Sequence, residues 1–160
     1  MYSPEERATK AQLLVQFQTQ QISRLRCYLV LEDKFRDFVD GQCSSDEFYS
    51  FCVYSTAEKY TLVTRNIDYI VDNMINLFGE ETYFVRHARQ VQLLEQTRWT
   101  KTLALYIARL RASYEESCDI VKQQLDEMET ESDDLGDRVN TLLEYIQTDI
   151  DSIVDGYNSS

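Results

Sequence analysis

Apolar residues recur along this chain at helical spacing in three long runs, and the third is the longest. From Ala104, alternating steps of three and four residues reach Ile107, Arg111, Tyr114, Cys118, Val121, Leu125, Met128, Ser132, Leu135, Val139, Leu142, Ile146, Asp149 and Ile153. That alternation averages about 3.5 residues and holds one stripe toward a neighbouring helix over many turns. The pattern predicts an all-α fold: an antiparallel three-helix bundle over residues 1–112, whose long third helix extends as an acidic coiled-coil arm over 113–155. A short tail, 156–160, should fray. The alternative is a compact four-helix bundle with a break near Gly136, where the stretch 129–137 reads ETESDDLGD. A seam that stays in phase from Met128 through Leu135 to Val139 favours a continuous helix there. In the arm reading, Val121, Leu125, Met128, Leu135, Val139, Leu142, Ile146 and Ile153 are the residues that grip a partner.

The first two runs have clear ends. Ser3-Pro4-Glu5-Glu6 supplies a capping hydroxyl, a proline at the first helical position and a glutamate that reaches back to the cap. The helix it opens places Leu14, Phe17, Leu25, Tyr28, Leu31, Phe35 and Phe38 on one broad face, with Ile22 and Val39 beside it, and Asp40-Gly41 closes it. Ser44 and Glu47 repeat the capping logic for a second helix over 45–78. Its seam is Tyr49, Val53, Thr56, Tyr60, Val63, Ile67, Ile70, Met74 and Leu77, and Gly79 stops it. Glu80, Glu81 and Thr82 form the next corner, with the acids placed favourably before a third helix from Tyr83.

Charge divides the chain unevenly. The net charge is −12, yet residues 111–160 hold 14 acids against 3 bases, so the rest is nearly neutral. Within the first half of the third helix, Arg86, Arg89, Arg98, Lys101, Arg109 and Arg111 face only Glu95 as a counter-charge in sequence. Arg86, Arg89, Arg98 and Lys101 are therefore a candidate face for an anionic partner, with Trp99 available to stack on a base. The plainer reading pairs these bases with acids of the bundle or of an acidic protein. The adjacent acidic arm repels a nucleic-acid backbone and so disfavours nucleic acid as the ligand. No apolar run approaches bilayer length, so no membrane insertion is expected.

Read together, Leu14, Phe17, Gln21, Arg24, Tyr28, Leu31, Glu32 and Phe35, then Phe48-Tyr49, Thr56 and Ile67, then Val91-Gln92, Leu94-Glu95, Arg98-Trp99 and Thr102 resemble the required-for-excision B domain family over roughly residues 10–110. Thr97 stands where the family's third string carries an acid, and the acidic arm extends past the family core. The resemblance implies a small helical fold and an association with DNA excision repair, and it carries no catalytic residue.

Catalytic, cofactor and metal chemistry all lack the residues they need. His87 is the single histidine, which excludes sites built on two imidazoles, di-iron pairs included. An EF-hand aligned on Gly136 puts Leu135 and Leu142 at ligand positions. No phosphate-binding loop, nucleophile elbow or kinase signature is present. Cys27, Cys43, Cys52 and Cys118 form no C-x-x-C pair and read as reduced thiols. Cys27, Cys52 and Cys118 read as small hydrophobes and Cys43 as the exposed one. The start, MYSPEER, reads as neither a secretory signal nor a transit peptide. The expectation is a non-enzymatic scaffold subunit that binds other helical proteins in a larger assembly of the cytoplasm, with the ciliary axoneme as an analogy. The alternative is a nuclear excision-repair accessory protein.

Overall fold

The computed structural model describes residues 3–79, 82–114 and 118–158, with the side chains of 154 and 156–158 outside that description. The protein is all-helical, 93% helix in four helices, with no strand among the described residues. Helix α1 spans Pro4–Val39 and opens with the capping box read from the sequence: Glu6 N–H donates to Ser3 Oγ, and Ser3 N–H donates to Glu6 Oε2. Gly41 and Gly79 both take positive φ, 77° and 86°, which lets the chain leave α1 and the second helix without strain. The acids expected at the next corner, Glu80 and Glu81, lie outside the described residues.

The second helix runs as α2 (Ser45–Ser50), a π-helical turn (Phe51–Thr56) and α3 (Ala57–Phe78) in unbroken helical conformation. This turn explains why the even seam expected from Tyr49 does not hold at its start. The buried line runs through Phe48, Cys52, Thr56, Tyr60, Val63, Ile67, Ile70 and Met74, with Val71 beside it. Their spacing is four, four, four, and only then alternates three and four. A π turn holds extra residues per revolution, so it keeps a four-residue repeat facing the core and rotates Tyr49 and Val53 outward. Thr56 closes the turn by donating from Oγ1 to the carbonyl of Phe51, at 3.0 Å.

The continuous third helix and its projecting arm are not what the chain forms. Helix α4 (Tyr83–Ala112) ends in a turn at Ser113 and Tyr114, and α5 (Asp119–Asn158) follows as a separate helix. At that end the Ser113 Oγ donates to the Leu110 carbonyl at 2.5 Å. The direction of α5 follows from its partners. Arg109 meets Glu129, Lys101 meets Glu131, Thr102 meets Ser132, and His87 meets Asp149. As numbers fall along α4 they rise along α5, so the two are an antiparallel hairpin.

Nor does the chain break near Gly136, because residues 129–137 are helical throughout. Gly136 serves a close approach instead: a Cβ there would sit 3.3 Å from Arg98 Nη2. The tail is helical to Asn158 rather than frayed, and residues 159–160 lie outside the description.

Two apolar clusters fill the interior. One joins Leu14 and Phe17 of α1, Ile67 and Met74 of α3, Phe84 and Val91 of α4, and Val139 and Ile146 of α5. The other is aromatic, built from Tyr28, Phe48, Tyr60, Trp99 and Tyr106 with Phe35 and Phe38 at its edge. The division of the sequence into a body over 1–112 and an independent arm thus gives way to a shared core, since α5 residues sit in the same cluster as those of α1, α3 and α4.

Candidate functional site

The residues expected to grip a partner are mostly occupied inside the molecule. Leu135, Val139 and Ile146 are only 7%, 1% and 2% exposed. Leu142 and Ile153 pack against the same cluster. Val121, Leu125 and Met128, half-buried, line a cleft of about 520 Å³ with Ala104, Ile107 and Ala108 of α4. The physical reason is that a three-four seam serves any helical neighbour equally well, and here the neighbour is the chain's own α4.

Part of the basic face is consumed in the same way. Lys101 Nζ reaches Glu131 at 2.8 Å and Arg109 reaches Glu129 at 3.4 Å. Arg98 binds Glu95 at 2.9 Å while its guanidinium lies 4.1 Å from the Tyr28 ring and against Gly136. Arg86 lies over the Tyr83 ring, and Arg89 lines a groove between α3 and α4 beside Asp68 and Asp72. Four bases of α4 are thus not one open anionic-ligand face. The acids that answer Lys101 and Arg109 come from α5 itself.

A buried polar cluster sits where α1, α3 and α4 meet, and periodicity alone does not reveal it. Arg24 and Glu95 are each 2% exposed, with Arg24 Nε 3.7 Å from Glu95 Oε2. Tyr28 donates to the same oxygen at 2.8 Å, and the Tyr60 hydroxyl lies 2.9 Å from it and 2.8 Å from the Glu95 carbonyl oxygen. Gln92 accepts from Arg24 Nη1 at 2.5 Å and donates to Asp68 at 2.7 Å. Trp99 stacks on Tyr60, ring centres 4.1 Å apart. Burial, with the Glu95 charge adding to it, raises the Tyr28 and Tyr60 hydroxyls far above the usual tyrosine range. Both stay protonated and act as donors. The cluster has the composition of a structural lock: two arginines and two tyrosine hydroxyls surround one carboxylate, and of these only the Arg98 side chain is partly exposed, at 19%.

Among the described residues, no three His, Cys, Asp or Glu side chains converge as metal ligands, and no helix is long and apolar enough to cross a membrane. Of the thiols, Cys27 and Cys52 are buried. Burial pushes Cys52 up to about 12 and raises Cys27 as well, so neither supplies a thiolate near neutral pH. The assignment of the other two reverses. Cys118 is exposed because it lies in the connection before α5, and Cys43 is half-buried with Sγ toward the Lys34 carbonyl.

One open apolar face lies on the outward side of α1. Val15, Ile22, Leu25 and Leu29 are 60%, 53%, 51% and 49% exposed. Leu25 was expected inside, but the core-facing line of α1 runs through Leu14, Phe17, Arg24, Tyr28 and Leu31 instead. With Gln18 they repeat the three-four step, 15, 18, 22, 25, 29, so the signal was present in the sequence and overshadowed by the longer seam. No family model, curated protein or solved structure matches this chain.

Proposed function

We propose that this chain is a non-enzymatic subunit that works by helix–helix contact with other proteins inside a larger assembly. The observation that carries the reading is the α1 stripe Val15, Ile22, Leu25 and Leu29, all exposed, at coiled-coil spacing. Single apolar residues on a surface need no explanation, whereas a contiguous apolar patch marks an interaction site. The long seam of α5 does not supply the docking face, because it packs on α4. The cytoplasm, with the axoneme by analogy, remains the proposed setting.

The excision-repair alternative rests on the family resemblance, and it needs basic side chains free to meet phosphates. Lys101, Arg98 and Arg109 already hold carboxylates. The repair reading therefore ranks second. Purification of the tagged full chain from native cells, followed by quantitative mass spectrometry, tests the first reading. Partners retained by the wild type should drop away from a Leu25→Lys, Leu29→Lys variant whose thermal midpoint is unchanged. An identical partner set in the two would contradict it, and salt-sensitive DNA binding by both would revive the alternative.

A further inference from the structure

Beside the open stripe, α1 and α3 leave a groove of about 320 Å³ at the level of the π turn. Cys27 and Val30 form its α1 wall, and Phe51, Leu62 and Val63 form the opposite one. Val30 and Leu62 are 44% and 59% exposed, so the apolar lining continues onto the surface and joins the side of α1 that carries Ile22. The π turn shapes this place, since Phe51 opens the turn and Thr56, which ends it, also lines the groove. Such turns inside helices occur frequently at functional sites.

The charge of the groove is one-sided. Arg26 and Lys59, both exposed, are its charged lining residues, and no carboxylate lines it among the described residues. No ion pair joins either of them to an acid in the described structure. Two exposed cations on the two lips of one apolar groove that no carboxylate lines form a complementary seat for an anionic apolar element.

We propose that this groove docks an amphipathic helix of a partner protein, one that carries acidic residues beside its large apolar anchors. The inference rests on the interaction reading above and adds the place and the partner's chemistry. The partner's apolar anchors enter between Val30 and Leu62, as in helix-in-groove recognition. Its carboxylates meet Arg26 on one lip and Lys59 on the other, which sets orientation and excludes basic helices. A helix seated there runs along α1 and also covers part of the exposed Ile22 side.

The test uses the full chain and three synthetic helical peptides. The first has leucines at helical i, i+3, i+4 and i+7 positions flanked by glutamates; the second replaces each glutamate with lysine; the third is a scramble of the first. Backbone amide shifts in nuclear magnetic resonance locate binding, and fluorescence anisotropy measures it. The glutamate peptide should shift residues 26–30 and 51–63 and bind at least tenfold more tightly than the lysine peptide and the scramble. The Arg26→Glu, Lys59→Glu variant, altered only at exposed positions, should reverse the preference between the two charged peptides. No shift at the groove, equal binding of both charged peptides, or an unreversed preference in the folded variant would overturn the proposal. If native partners instead survive Arg26→Glu, Lys59→Glu and are lost with Leu25→Lys, Leu29→Lys, the interaction reading stands and the groove falls.

Discussion

Side chains from three helices converge on Glu95. Its carboxylate faces Arg24 from α1 and Arg98 from α4, and accepts from Tyr28 and Tyr60. Arg24 Nε and Nη2 make no hydrogen bond of their own in the described structure, so the Arg24 charge depends heavily on this neighbour. Removing one partner of a buried ion pair leaves the other uncompensated, at roughly 3 kcal/mol or more. Glu95→Gln should therefore lower stability to urea by about that amount, while Tyr28→Phe, which removes one hydrogen bond, should cost about 1–2 kcal/mol. Equal, small losses in urea unfolding would show that the cluster is not a lock. Little of this was legible beforehand. Arginine and glutamate are exposed by default, and the sequence places Arg24 and Glu95 71 positions apart, on helices whose contact no periodicity states.

At the scale of elements, the caps, the glycine stops and the positions of the first two helices were readable because local chemistry decides them. The reversal after Ala112 was not. It contains neither proline nor glycine, and the seam stays in phase through it, so continuation and folding back look identical from spacing. Charge held the missing signal: the bases of α4 and the acids of α5 are each other's partners, as Lys101–Glu131 and Arg109–Glu129 show. Burial makes the difference measurable. Ile146→Ala should cost about 2–4 kcal/mol, as large-to-small changes at filled core sites do; a surface-like cost below about 0.5 kcal/mol would contradict its place in the core. A chain cut after residue 112 should lose cooperative unfolding, since Phe84, Val91 and their cluster would be stripped of Val139, Ile146 and Ile150. A cut chain with a sharp transition would mean that residues 1–112 stand alone. The π turn was equally hidden, because its four-residue repeat passes for ordinary helical scatter until the burial of Cys52 and Thr56 is known.

The molecule as a whole buries proton donors that titrate at high pH. Desolvation raises Tyr28, Tyr60, Tyr106, Cys27 and Cys52 above their unfolded values. A group whose folded value is raised stabilises the fold fully below its unfolded value and loses that contribution as pH climbs toward the folded one. The ordinary values are 9.0 for cysteine and 10.0 for tyrosine. The thermal midpoint should thus fall steadily between about pH 9 and pH 11, and less steeply in Tyr28→Phe. A midpoint flat across that range would refute the burial of these groups.

The central claim is that α5 returns along α4 instead of projecting from it. Spin labels at positions 101 and 131, where Lys101 and Glu131 now lie 2.8 Å apart, test it by pulsed electron resonance. Cys43 and Cys118 would be replaced by serine, and labelled chains diluted in unlabelled ones. A hairpin of packed helices puts the labels within about 20 Å of each other, linkers included. One continuous helix across those residues would hold them about 45 Å apart, and that distance would contradict the fold described.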